Sequence, residues 1–242
     1  MDANLLNGNL GNILNLIAAA GGLGTAAMGL VDALKAFGGG PSNFGFKFIK
    51  RAVHRFSPSN AGGAAAFGWH DIEQTLRANW INGVAEADQK AKAKAMIHLR
   101  LTKGDAAELA GLTGVDEDML VSVAAKTTTG ETVTPAEIAV LGQFDAVLTA
   151  VLDEAYERAD QHYRNASKLL AVLVAIFLAV IGGWIIYAPG ATDLWGYFKT
   201  SSFVLALLVG ASAAPLAPVA KDLSSSLQAA VSAVGAARKL GL

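Results

Sequence analysis

Three long stretches without a charged side chain dominate this sequence: Ala3 to Val31, Leu169 to Thr192 and Thr200 to Ala220. At a rise of about 1.5 Å per residue, each can form a helix that crosses a hydrocarbon layer about 30 Å thick. Leu169–Tyr187 is apolar on every face and ends in Trp184 and Tyr187, residue types that suit a membrane interface. Thr200–Ala220 contains Pro215 and Pro218, which break helices in water but are tolerated in lipid, so a kinked span is expected there. In the first stretch the apolar core is Leu10–Val31, with Gly21, Gly22, Gly24 and Gly29 lowering its helix propensity and Asn12, Asn15 and Thr25 as its polar members. Buried helices of an alanine-rich soluble protein are the competing possibility. Composition weighs against it: 16% of the residues are charged, against about a quarter in soluble domains. The expected fold is all-α, an integral membrane protein with three transmembrane helices and a helical cytoplasmic domain.

Cations give an orientation. If the N-terminus and the loop Ala188–Lys199 lie outside, that side holds one basic residue, Lys199, and the other eighteen of nineteen Lys and Arg lie on the cytoplasmic side. The first nine residues carry Asp2 and no Lys or Arg, so no cleavable signal peptide is expected. The organisation read from these features is an N-terminal transmembrane helix over 1–37, a basic amphipathic juxtamembrane segment over 38–56 and a helical cytoplasmic domain over 57–168. A transmembrane helix pair over 169–220 and a cytoplasmic amphipathic tail over 221–242 follow.

After Gly38, Gly39, Gly40 and Pro41, the stretch Phe44–Phe56 read as a helix puts Phe46, Ile49, Val53 and Phe56 on one face and a basic set on the other. Two placements are open. The helix either rests in the headgroup layer, with Lys47, Lys50, Arg51 and Arg55 touching anionic lipid, or packs on the helical domain. Ser57–Phe67 reads as a linker. A helical stretch is expected from His70 to Leu101, with Glu86–Lys90 and Asp88–Lys92 as favourable pairs. Further helices are expected at Gly104–Leu112, Asp116–Lys126 and Pro135–Lys168, the last running unbroken into the second span. Thr134 is its N-cap, Pro135 its first residue and Glu137 its third, and Ile138, Leu141, Val147 or Leu148, Val151 and Leu152 supply its apolar stripe. Thr127–Thr134 reads as a loop.

No residue pattern carries catalysis with specificity, and no enzyme, cofactor or metal site is expected. The absence of cysteine removes thiol nucleophiles and cysteine-ligated metals. A net charge of -1 disfavours nucleic acid as a partner. His54, His70, His98 and His162 lack helical ligand spacing, and Trp69, His70, Asp71 and Glu73 read as a helix start. Asp153, Glu154, Glu157 and Asp160 read as a solvated face, because Glu154 precedes Arg158 and Asp160 precedes Arg164 by four. Leu101–Lys126 has a helix-turn-helix cadence, but Asp116, Glu117 and Asp118 open its second helix and would repel phosphates, leaving a two-helix packing unit. The spans hold no charge in their apolar cores, which disfavours transport. They do hold small residues four apart: Gly21, Thr25, Gly29 and Ala33; Ala171, Ala175, Ala179 and Gly183; and Ala206, Gly210 and Ala214 with Pro218. These stripes are expected to pack helices closely, within the chain or between copies.

Phe144 and Asp145, the stretch from Leu152 through Asp153, Glu154, Ala155, Tyr156 and Glu157 to Arg158, Tyr163 and Arg164, and Leu207, Gly210, Ala214 and Pro215 carry a resemblance. In these residues the chain resembles a group of uncharacterised bacterial inner-membrane proteins with one N-terminal and two C-terminal transmembrane helices. The resemblance implies topology and a bacterial inner (plasma) membrane location, and no activity. Small residues after Pro215 depart from its pattern. The function expected is that of a non-enzymatic anchor or accessory subunit of a larger membrane assembly. Its partners would be membrane lipids and either further copies of the chain, as a homo-oligomer, or other subunits. A self-assembling pore or membrane-perturbing effector, lined by Asn12, Asn15 and Thr25, is the alternative. A membrane-bound enzyme using carboxylates near His162 ranks last.

Overall fold

The computed structural model describes residues 3–56, 68–187 and 194–239, and every regular element among them is helical. Contacts divide the chain into two compact units. One comprises residues up to Pro41 and from Asn165 onward, and the other is Ser42–Arg164. The expected linker Ser57–Phe67 and the first part of the loop Ala188–Lys199 lie outside the described residues.

The Ser42–Arg164 unit contains α2 (Ser42–Arg55), α3 (Trp69–Ile81), α4 (Glu86–His98), α5 (Ala106–Thr113), α6 (Glu117–Thr129) and the first part of α7 (Pro135–Tyr187). Its core is organised along α7, where Phe144, Leu148, Leu152 and Tyr156 recur every four residues on one face and are fully buried. Phe46, Ile49 and Val53 of α2, Leu76, Ile97, Leu109 and Leu120 close over that face. Of the expected stripe, Leu148 and Leu152 are buried and Leu141 and Val151 pack against the core, whereas Ile138 is 58% exposed and Val140 and Phe144 join the inward face. The stretch His70–Leu101 is two helices, because Asn82 ends α3 and Gly83, at φ 66°, turns the chain in the left-handed region that favours glycine. Thr127–Thr129 extend α6, although the sequence reads there as a loop. Their hydroxyls donate to the carbonyls of Val123, Ala124 and Ala125, and Gly130 caps the helix at φ 75°.

Segment 38–56 divides between the two units: Gly38–Pro41 fall in the first and Ser42–Phe56 in the Ser42–Arg164 unit. The apolar face of α2 is buried in the helical domain, so that face has no access to an acyl layer.

The second unit holds α1 (Ala3–Ala33), a short 3-10 turn (Leu34–Ala36), the rest of α7, α8 (Leu194–Phe198) and α9 (Ser201–Lys239). Three helices, over Asn15–Ala36, Pro135–Ile186 and Ser201–Asp222, are long and apolar enough to cross a membrane, which suggests a membrane protein. Their packing is inverted relative to a soluble core. Ala27, Ala171, Ala175, Ala213 and Gly210 point inward, while Phe177 (64% exposed), Leu205 (61%) and Leu208 (64%) point outward. Such a surface is costly in water and suits lipid, where helices associate through small residues. The helix α9 continues through Pro215 and Pro218 and joins the expected tail to the third span without a break.

The small-residue stripes are used unequally, fully in α9 and least in α1. Ala171, Ala175, Ala206, Gly210 and Ala214 are buried, Gly183 faces the Tyr197 hydroxyl, and Ala179 is half-buried. In α1, Gly21 meets Leu216 and Ala220, but Thr25 and Gly29 are exposed and the Thr25 hydroxyl donates to the Gly21 carbonyl at 2.9 Å. The face of α1 that packs is Ala20, Gly21, Gly24, Ala27 and Val31. A helix turning about 100° per residue brings these residues to one side, and the run 21, 25, 29 drifts off it.

The direction of α1 also differs from expectation. Gly21 lies against Ala220 and Gly24 against Ala213, so α1 and α9 run antiparallel. Gly210 against Ile176, with Gly183 beside Ala206, makes α7 and α9 antiparallel as well. An outside N-terminus with three crossings requires α1 parallel to α9. Moreover, α1 meets the other two helices at Ala27, Ala175 and Ala213 and at Val31, Ala171 and Ala214, near the end of the hairpin that borders Lys168 and Lys221.

Candidate functional site

A site with a concentrated charge forms where α2 crosses α7. Gly45 lets the two backbones touch, because a Cβ there would collide with the Ala159 carbonyl and the Trp80 ring. Trp80 Nε1–H donates to the Ser42 carbonyl at 2.9 Å and fixes the start of α2. Phe48 stacks on His162 with ring centroids 4.4 Å apart. Further along, Ala52 and Ala155 are too small to fill the crossing, and with Phe48 and Val151 they floor a notch of about 60 Å³. Its rim is ionic: Arg51 and Arg55 from α2, and Glu154 and Arg158 from α7. The Arg158 guanidinium donates to Glu154 at 2.8 Å, whereas neither Arg51 nor Arg55 has an ion-pair partner among the described residues.

The basic residues of α2 therefore divide. Lys50 pairs with Glu73 at 2.7 Å, Lys47 lies 5.1 Å from the centre of the Phe48 ring, and Arg51 and Arg55 face the notch. Arg158 was not distinguishable by sequence, since its pairing with Glu154 at four-residue spacing accounts for it on α7 alone.

Several of the other polar groups singled out by sequence have structural roles. Asp71 accepts from the Gly68 amide at 3.0 Å at the start of α3. His70 contacts Gln74 at 2.7 Å, and His54 packs edge-on to Trp69. His98 and Lys94 share Asp145, which ties α4 to α7. Burial pushes the Asp145 carboxyl up, but its hydrogen bonds from Lys94 and His98 outweigh this and hold it below its ordinary value. Lys90 pairs with Glu86, as expected, and also with Asp153, while Lys92 turns to Asn79 instead of Asp88. Arg164 pairs with Asp160 at 2.7 Å. Among the described residues, no group of three or more His, Asp or Glu could hold a metal ion.

Glu137 shows how tightly one carboxylate is committed to the fold. It accepts from Lys126 at 2.7 Å, from Ser122 at 2.6 Å and from the Thr134 amide at 2.7 Å, completing a capping box at the start of α7. Its side chain is 8% exposed. The Lys126 ammonium, then Ser122 and Thr134, hold its pKa down to about 2 from 4.5. A carboxyl depressed on folding contributes stability above its unfolded pKa and loses that contribution as pH falls through its folded pKa. The domain is therefore expected to lose stability between pH 4.5 and about 2 through this group. Denaturation midpoints measured across that window should fall less steeply for Glu137→Gln than for the parent; equal slopes would rule the assignment out.

Neither a protein-family model, nor a curated protein, nor a solved structure matches the chain.

Proposed function

We propose that this chain is a non-enzymatic membrane anchor or accessory subunit whose helical domain docks other proteins at a bilayer. The observation that carries this reading is the division of the surface. One unit turns large apolar side chains outward over helices of spanning length, and the other buries its own core and presents charge. Support for the absence of catalysis comes from the commitments of the ionic groups: Asp145, Glu137, Glu73 and Asp153 each hold one helix to another. The resemblance described above, carried in part by core residues Phe144, Leu152 and Tyr156, supports a bacterial inner membrane.

In the arrangement we favour, α7 and α9 cross the bilayer and the loop between them lies outside. The helical domain and both chain ends lie on the cytoplasmic side, with α1 packed against the hairpin from there. The cation distribution is indifferent to the side on which the chain begins, because residues 1–34 hold no Lys or Arg. The antiparallel pairing of α1 with α9 favours the cytoplasmic side.

Gentle affinity purification from native membranes, followed by mass spectrometry, tests the docking role. A stoichiometric protein partner, lost when the helical domain is unfolded by a core substitution such as Phe144→Ala, is expected. A lone monomer in every mild detergent would sink it. Ion leakage from liposomes loaded with the pure chain would transfer support to the pore reading.

A further inference from the structure

The geometry points to the notch between α2 and α7 as a binding site for a single phosphate group, gripped by Arg51, Arg55 and Arg158. Three guanidinium groups converge there with one carboxylate, a formal excess of two positive charges. That excess does not reflect a basic domain: residues 42–164 contain 13 Lys and Arg against 16 Asp and Glu. Arg51 and Arg55, one helical turn apart, repel each other across the same opening, and among the described residues that line it Glu154 is the one carboxylate. Glu154 is already engaged by Arg158. A phosphomonoester carries about -1.5 to -2 charges near neutral pH and offers three oxygens to guanidinium forks, which matches this excess and this donor type.

Size narrows the ligand further. A notch of about 60 Å³ encloses one tetrahedral oxyanion and no larger group, since drug-sized ligands occupy pockets of roughly 300–1,000 Å³. The apolar floor of Phe48, Ala52, Val151 and Ala155 keeps the guanidinium groups at the rim. The phosphate could arrive as a soluble ion or ester, or on a lipid headgroup. This site is independent of the docking role above and can stand or fall without it.

The test uses the full chain in two settings. In neutral detergent, inorganic phosphate is titrated and followed by phosphorus resonance broadening. In phosphatidylcholine nanodiscs with and without phosphatidic acid, the bound anionic lipid is counted by native mass spectrometry. The paired change Arg51→Gln and Arg55→Gln is expected to weaken binding about tenfold or more in whichever setting supplies the ligand. Glu154→Gln, which frees Arg158, is expected to tighten it by about two- to fivefold. Arg164→Gln, an exposed cation outside the notch, controls for charge alone. Loss with free phosphate assigns a soluble ligand, and loss with phosphatidic acid alone assigns a headgroup. The proposal is overturned if neither probe binds, if the paired change leaves both settings unaffected, or if Arg164→Gln weakens binding equally. All of these side chains are exposed, and unchanged helical circular dichroism of each variant confirms that folding is retained.

Discussion

A cysteine placed at Ser201 is expected to react with a membrane-impermeant maleimide applied to intact cells, whereas cysteines at Asn4 and Asp222 should react only after the membrane is opened. The chain has no cysteine of its own, so each variant reports one position. Ser201 opens α9 beside α8, at the far end of the hairpin from the Lys168 and Lys221 border. Asp222 is exposed at the other end. The contrast between these two follows from the single cation, Lys199, in the intervening loop, against the basic residues that flank the opposite ends. Asn4 is the decisive position. Were α1 a third crossing that began outside, it would react together with Ser201. The antiparallel contacts of Gly21 with Ala220 and Gly24 with Ala213 predict that it reacts together with Asp222. The expected effect is close to all-or-none, because the reagent reaches one side only.

Where sequence was informative, a local interaction sufficed to decide the structure. Thr134, Pro135 and Glu137 begin α7 because the cap and its reciprocal partner are three residues apart. The three apolar helices are legible because solvation by lipid demands an uncharged run, whatever surrounds it. The inward face of those helices was not legible. Every side of a span is apolar, so the periodicity that marks a buried face in water is absent, and only small size distinguishes Gly24 and Ala27 from their neighbours. For the same reason sequence alone does not separate Thr25 and Gly29, equally small, from Gly21. The notch was hidden for a different reason. Arg51 and Arg158 are far apart in sequence, and their meeting depends on Gly45 allowing α2 to approach the Ala159 carbonyl. Amphipathicity marked Phe46, Ile49 and Val53 as one apolar face, but a face of that kind fits lipid or a protein core equally well.

Replacing Gly24 with leucine is expected to separate α1 from α9, and the same change at Gly29 is expected to leave the fold intact. At position 24 even a Cβ would press on the Ala213 carbonyl, a backbone atom within a helix that has no flexible end to give way. Overpacking of this kind costs about 1–3 kcal/mol, and a whole leucine side chain adds to the displacement. At position 29 nothing lies within 4 Å, so leucine meets open space and gains most of the about 0.8–1 kcal/mol of helix propensity by which glycine falls short of alanine. Limited proteolysis and thermal unfolding in a mild detergent should show Gly24→Leu with an exposed, cleavable α1 and a lowered midpoint, and Gly29→Leu at or slightly above the parent. The pair separates the two faces of one helix: equal damage at both positions would mean that the Gly21, Thr25, Gly29 stripe is itself an interface. If Gly29→Leu lowered the mass of a purified oligomer while leaving the midpoint unchanged, that interface would lie between copies. Gly210→Leu extends the comparison to the α7–α9 contact. There a Cβ would come within 2.5 Å of Ile176 Cα, and disruption at least as large as that of Gly24→Leu is expected because this contact holds the hairpin itself.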